Sequence, residues 1–264
     1  EVGIEFRSER NINKISTKKI IHINKKKIKK QSDLPNLISV IWISPEMDIF
    51  FRTNSLFRRK FVDRCIFNLN PVYLDYIRNY EKFLKERSKI LKDLSEKDFF
   101  YVEGKNKEKD LWLNKIEEKL VSEGIKIYLE REKFTKNFNS ILNNSKNFNK
   151  IKISLVGRIE EHLNSKKLDL HKVKEIYLQE LINSRKIDSI KGSVSYGPNK
   201  SDLKVIYLKK SLFAERCSTG EQKIILVSLI IQFCKLMNKK ENFPVLLLDE
   251  VAAHLDNKVK ISLF

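Results

Sequence analysis

At 264 residues the chain is long enough for one large or two smaller domains, and no apolar stretch approaches the roughly 20 residues a membrane-spanning helix requires. Lys+Arg 53 against Asp+Glu 34 gives a formal net charge of +19, a surplus that attracts a polyanion such as nucleic acid or an acidic membrane surface. Heavy use of Lys, Ile and Asn throughout, as an AT-rich coding sequence produces, is a second source of that charge.

The first 43 residues hold three runs of β character, Val2 to Phe6, Lys19 to Ile23 and Leu37 to Ile43, which read as one antiparallel sheet. Ser44-Pro45 breaks the third run and leaves Glu46 and Asp48 in a loop, as helix caps or as ligands. Residues 54 to 69 follow helical spacing, with Phe57, Phe61, Cys65 and Leu69 on one face. Arg58, Arg59, Lys60 and Arg64 then form a basic outer stripe, either a solvated face or a set of DNA phosphate contacts.

Asn70-Pro71 reads as an N-cap followed by proline at N1. Beyond it Ile77, Leu84 and Leu91 recur every seven residues, with Arg87 interrupting the seam. After a polar segment, Leu113, Leu120, Ile127, Phe134 and Ile141 repeat the spacing, with Glu123, Glu130 and Asn137 at the second seam positions. Two such stripes joined by a polar tip predict an antiparallel coiled-coil hairpin projecting as an arm on the order of 35 to 50 Å long. A helical subdomain packed on the body is the alternative. Ile151, Ile153 and Leu155 alternate as a returning strand, Leu170 to Lys186 forms an amphipathic helix, and two strands, Gly192 to Tyr196 and Leu203 to Leu208, flank a Gly-Pro-Asn turn. The expected division is residues 1–69, a first part of a sheet domain; 70–149, the arm; and 150–264, the second part of the sheet domain.

The chemistry concentrates between Cys217 and Asp256. Val245 to Leu248 is a continuous apolar run, as in a buried parallel strand, ending at Asp249-Glu250. Ligands of open α/β sheets lie beyond the carboxyl ends of such strands. One of two adjacent acids there can hold Mg²⁺ through water while the other polarises the water that attacks a γ-phosphate; the plainer alternative is a pair of acids at a helix N-terminus. Upstream, Ser218, Thr219 and Gly220 open a helix over Glu221 to Met237, offering backbone N–H groups and a hydroxyl to an anion. Ser218-x-x-Glu221 also fits a capping box.

C-S-T-G-E-Q-K, P-V-L-L-L-D-E and A-H-L-D stand in the order of the signature, Walker B and D-loop motifs, and in them the chain resembles the ABC-type ATPases of chromosome maintenance. I-S-P-E-M-D-I-F, R-R-K-F-V-D-R, N-P-V-Y-L-D-Y-I-R-N-Y-E-K-F-L-K-E-R and Y-G-P-N-K-S-D-L make it similar to the RecF family in particular, over nearly the whole chain. The resemblance implies an α/β fold, an ABC-ATPase head (a P-loop NTPase-like sheet with flanking helices) carrying a short antiparallel helical arm. It implies Asp249 as the Mg²⁺-associated acid, acting through water, and Glu250 as the catalytic base. Ser218, Thr219, Gly220, Glu221 and Gln222 would meet ATP held by the opposite protomer, and Ala253, His254, Leu255 and Asp256 would form the D-loop at a dimer interface. Also implied are an ATP-dependent homodimer, binding to gapped or single-strand/double-strand junction DNA, work with RecR and RecO in loading RecA, a place in DNA replication, recombination and the SOS response, and a bacterial cytoplasmic setting. Two other readings stand beside this one: a catalytically dead DNA-binding scaffold, and a clamp of the structural-maintenance or Rad50 kind.

The chain departs from the family pattern in two places. Gly197-Pro198-Asn199-Lys200 replaces the usual Gly-Pro-His-Arg, and G-x-x-x-x-G-K-[ST] is absent. Both ends read as cut, so an ABC-type ATPase is expected only of the complete protein, with negligible hydrolysis by residues 1–264. Cys65, Cys217 and Cys234 form no C-x-x-C pair and read as reduced thiols of a cytosolic protein, without disulfide, zinc or secretory signal.

Overall fold

The computed structural model describes residues 2–11, 14–23, 25–27, 39–43, 47, 49–95, 102–104, 106–142, 151–164, 169–238 and 244–248. Strands β1 (Val2–Asn11) and β2 (Lys14–Ile23) pair antiparallel from Val2 opposite Ile23 to Asn11 opposite Lys14, and β3 (Lys26–Lys27) extends the sheet. The third predicted run does not join them. As β4 (Val40–Ile43) it pairs instead, in parallel, with β8 (Val245–Leu248), Val40 opposite Val245 and Ile43 opposite Leu248. An alternating run specifies a face and not a partner, so the sequence could not reveal this distant pairing. β8 is parallel as expected but open on one side: Val245 and Leu247 are exposed, whereas Leu246 packs against the core.

Helix α1 (Ser55–Leu69) begins where predicted because the Asn54 side chain accepts a hydrogen bond from the Phe57 N–H at 3.1 Å. Phe61 and Cys65 are buried, and Phe50 meets Phe51, Phe57 and Phe61 edge to face with ring centroids 5.1, 5.9 and 5.2 Å apart. Asn70 is not the N-cap of the next helix. It ends α1, its N–H donating to the Ile66 carbonyl at 2.7 Å, and α2 (Tyr73–Ser95) starts after an intervening turn.

Helices α2 and α3 (Lys107–Leu142) run antiparallel, since Tyr73 lies beside Arg131 while Arg87 lies beside Glu117. Leu113, Leu120, Ile127, Phe134 and Ile141 are all buried, as their spacing predicts. On α2 the pattern is different: Ile77 and Leu84 are half-buried and Arg87 is 2% exposed. The reason is a third helix, α5 (Leu170–Lys191), lying along both members of the hairpin. Glu117, fully buried on α3, accepts from Arg87 Nε at 2.8 Å and from Arg185 Nε of α5 at 3.2 Å. Arg87 also donates to Asp188 at 2.7 Å and to the Leu181 carbonyl at 2.8 Å. The interruption in the seam is therefore an ion-pair joint, with two arginines and two acids sharing their charges between three helices.

Further along, α3 enters the body of the molecule, where Phe134 meets Phe233 of α6 (Thr219–Asn238) at 6.2 Å. There β5 (Ile151–Val156), β6 (Asp202–Tyr207) and β7 (Leu212–Phe213) form an antiparallel sheet, with α4 (Arg158–Asn164) following β5. The strand expected over Gly192 to Tyr196 is absent: α5 runs on to Lys191, Gly192 ends it in the left-handed region at φ 65°, and β6 pairs with β5 instead. Among the described residues no helix is long and apolar enough to cross a membrane.

Replacing Glu117 by Ala takes the shared acid from two buried guanidinium groups, leaving Asp188 as the one carboxylate of the joint, and is expected to cost about 3–5 kcal/mol in urea unfolding; a loss below about 1 kcal/mol would contradict the shared ion-pair joint.

Candidate functional site

The first turn of α6 is built from the predicted segment. A short 3₁₀ turn over Ala214–Arg216 follows β7, and the Cys217 N–H closes it on the Ala214 carbonyl at 3.1 Å. Ser218 then caps the helix. Its N–H and its hydroxyl each lie 3.1 Å from Glu221 Oε2, donating to it, while the Glu221 N–H reaches Ser218 Oγ at 3.4 Å. The capping box is real, so Ser218 and Glu221 stabilise the helix start. Lys210, in the turn after β6, places Nζ 2.6 Å from Glu221 Oε1. The Lys210 ammonium, helped by the Ser218 N–H, holds the Glu221 carboxyl below its usual range.

The remaining predicted residues divide by direction. Gln222 is 2% exposed and faces inward, its amide donating to the Cys217 carbonyl at 3.0 Å; it supports the loop from beneath. Gly220 faces open space, with no heavy atom within 4 Å of where a β-carbon would stand. Thr219 is exposed, and Arg52 Nη2 donates to its hydroxyl at 2.8 Å. The motif flagged neither Arg52 nor Lys210, because Arg52 arrives from a loop 167 residues away and Lys210 from the turn after β6, outside the motif.

Asp249 and Glu250, with Ala253, His254, Leu255 and Asp256, lie outside the described residues, as do Glu46 and Asp48. Only β8, immediately before Asp249, is in view. Among the described residues no cluster of three His, Cys, Asp or Glu side chains is arranged to hold a metal ion.

The basic stripe of α1 needs correction. Arg58 is buried, not outward: Nε lies 2.7 Å from Asp202 Oδ1, Nη2 2.9 Å from Oδ2, and Nη1 2.6 Å from the Thr53 carbonyl. Arg59 is half-buried and spends Nη1 on Ser55 Oγ at 2.7 Å and the Ser201 carbonyl at 2.6 Å. Arg64 stacks its guanidinium 3.8 Å above the Trp42 ring. Lys60 is exposed. A helical wheel could not distinguish these fates, since Asp202 and Trp42 come from other elements.

The Gly197-Pro198-Asn199-Lys200 segment is bolted to the helices. Gly197 adopts φ 130° with the Tyr80 and Tyr177 hydroxyls filling the space a side chain would need. Tyr80 donates to Asn199 Oδ1 at 3.3 Å, and Arg131 Nη1 donates to the Pro198 carbonyl at 2.7 Å. Arg131 is itself fixed by Asp63, at 2.9 Å.

No family model matches the chain. Curated relatives do. It is 34% identical to the DNA replication and repair protein RecF of Rickettsia canadensis over 246 residues, 92% of this chain and 64% of that protein. To the RecF protein of Allorhizobium ampelinum it is 32% identical over 248 residues, 92% of this chain and 62% of the relative. Over nearly all of its length the chain is similar to RecF proteins. It spans a little under two thirds of the length of these relatives. The fold agrees: a solved structure of the recombination mediator protein RecF with ATPrS, of the RecFOR pathway, superposes with a TM-score of 0.76 over 99% of this chain and 67% of that one, at 24% identity. A RecF–ATP structure of the same pathway gives 0.74. The α/β fold and its helical insertion are thus those of the solved RecF structures, with α5 added to the hairpin.

Removing Lys210 should release Glu221. In Lys210→Ala, carboxyl NMR titration is expected to show the Glu221 pKa rising toward the ordinary value near 4.3. Because the folded pKa is depressed, the capping contribution of Glu221 is present at neutral pH and is lost as pH falls through that lowered value. An unmoved Glu221 pKa in the variant would show that Lys210 is not the cause.

Proposed function

We propose that this chain is part of a RecF-type, ATP-driven recombination mediator whose nucleotide sites are completed between two copies. The observation that carries the reading is the first turn of α6: a preformed helix start, open at Gly220, in a chain whose fold matches solved RecF complexes with ATP and with ATPrS. Backbone N–H groups and hydroxyls there suit the terminal phosphate of a nucleotide held by the opposite copy. Asp249 and Glu250, following β8, would serve the chain's own nucleotide. Asp249 would hold Mg²⁺ through water, and the ion would neutralise charge building on the phosphates. Glu250 would orient and deprotonate the attacking water.

Closure of such a dimer on ATP suits a clamp on gapped or junction DNA. RecR, RecO and RecA are the proposed partners, in a cytoplasmic repair and SOS-response setting. The +19 charge supports a polyanion partner. Lys60 remains an exposed candidate for phosphate contact on α1, Arg64 and Arg59 contribute through whatever donors their stacking and hydrogen bonds leave, and Arg58 contributes structure.

A second reading, a DNA-binding scaffold indifferent to nucleotide, is favoured by the capping box, which already uses the Ser218 hydroxyl and N–H. The two separate experimentally. In the full-length protein, Ser218→Ala is expected to lower ATP turnover roughly a hundredfold, the order of magnitude for loss of one charge-stabilising donor, and Glu250→Gln is expected to accumulate an ATP-bound dimer in sedimentation. Gap-DNA binding at fixed salt should strengthen with ATP. Turnover within threefold of wild type in Ser218→Ala, together with nucleotide-independent DNA binding, would select the scaffold.

A further inference from the structure

Helix α3 and strand β5 enclose a cavity of about 210 Å³, and an acid without a partner stands in its wall. β5 pairs with β6 on one side only. On its other edge Asn139 of α3 takes Ile153, donating to its carbonyl at 2.9 Å and accepting from its N–H at 3.0 Å. Leu155, two residues on, turns its N–H and carbonyl to the same edge and lines the cavity. Tyr128 supplies an aromatic wall, and the exposed Lys152 stands at the rim.

The acid is Glu160 of α4. It lines the cavity and is 7% exposed, yet neither carboxylate oxygen has a hydrogen-bond partner. Gly157 makes room for it, since Glu160 Oε2 stands where a side chain at residue 157 would need to be. Ser201 Oγ, beside it, is likewise buried without a partner, and burial pushes the Glu160 carboxyl above its usual range. Glu117 and Asp188, by contrast, hold arginines. A carboxylate can only accept, so what completes this site must donate.

The donor chemistry is narrow. A free cation is opposed by Lys152 and by the surplus of +19, whereas Lys136 at the same cavity is already neutralised by Glu132. The volume is below the roughly 300–1,000 Å³ of sites for drug-sized ligands and suits one planar base. Among the bases, guanine alone sets two N–H donors side by side next to a carbonyl. Adenine and cytosine place an acceptor beside their amino group, and thymine has a single N–H between two carbonyls.

We propose that this cavity receives a guanine base. Both Glu160 oxygens are closed to water as they stand, so a rotation of the side chain brings them to the two N–H donors. The Leu155 N–H serves the neighbouring carbonyl of the base, and Lys152 meets the phosphate outside. A free guanine nucleotide and an unstacked guanine of single-stranded DNA offer the same chemistry.

The test is calorimetric titration of the full-length protein, with a non-hydrolysable ATP analogue in excess, by dGMP, dAMP, dCMP and dIMP, the last being guanine's analogue without the 2-amino group. In parallel, oligothymidine carrying one guanine is compared with oligothymidine carrying one hypoxanthine. Guanine is expected to bind at least tenfold tighter than the others, the order of one hydrogen bond to a charged group. Glu160→Gln should abolish that preference while leaving the thermal midpoint unchanged or raised, because a buried charge without a partner is removed. Lys152→Ala should weaken all four monophosphates alike, about threefold, and flatten their salt dependence. A preference seen in the oligonucleotides assigns the site to single-stranded DNA, and one confined to dGMP assigns it to the free nucleotide. The comparison of guanine with hypoxanthine reads the same contact in wild-type protein, without any substitution. No guanine preference in either series, or one that survives in Glu160→Gln, would overturn the proposal.

Discussion

The paired hydrogen bonds from Arg58 to Asp202 are the joint on which the arrangement around the α6 turn depends. They tie α1 to the head of β6 across 144 residues of sequence, and the remaining Arg58 donor fixes the Thr53 carbonyl, the neighbour of Arg52. A bidentate guanidinium–carboxylate pair sets orientation as well as distance. With Arg58 only 8% exposed, removing its acid would leave a buried charge, which is far more costly than losing a surface ion pair. The joint therefore transmits position: α1 sets the Arg52 loop, β6 sets Lys210, and the two loops meet on either side of one helical turn.

The same device recurs at each place where sequence-distant elements must meet. Arg131 joins α3 to Asp63 of α1 and to the Pro198 carbonyl, while Arg87 and Arg185 join α2 and α5 through Glu117 and Asp188. Four arginines, Arg58, Arg87, Arg131 and Arg185, are thus structural. They pair with four acids, Asp63, Glu117, Asp188 and Asp202, so the fold draws in charges of both signs and leaves the surplus of +19 to the rest of the chain.

Local pattern carried the helices well. The sevenfold spacing of Leu113, Leu120, Ile127, Phe134 and Ile141 marked the buried stripe of α3, and Ser218 with Glu221 marked the start of α6. These features are written in residues three to seven apart. What stayed hidden is non-local. The heptads showed a seam but not that α5 would share it, and Arg87, which looked like a defect, is a joint only because Glu117 and Asp188 arrive from other helices. Likewise β4 announced a strand and not its partner. At the candidate site the motif spacing found Ser218 to Gln222, but not that Gln222 faces inward or that Arg52 reaches Thr219.

The parallel pairing of β4 with β8 has a consequence for how this molecule is made. During synthesis the chain emerges from its amino end, so Val40–Ile43 leaves the ribosome about two hundred residues before the strand it pairs with. Closing so large a loop is entropically slow and rewards the chain only at the end. The bundle of α2, α3 and α5, rich in local contacts, is complete before β8 exists. The nascent chain thus matures around its helices while β4, with Trp42, waits for β8, its partner among the described residues, and is open to wrong strands. Of the described elements the last to emerge is the one that leads directly into Asp249 and Glu250, so the acids proposed for hydrolysis are synthesised behind the helical scaffold.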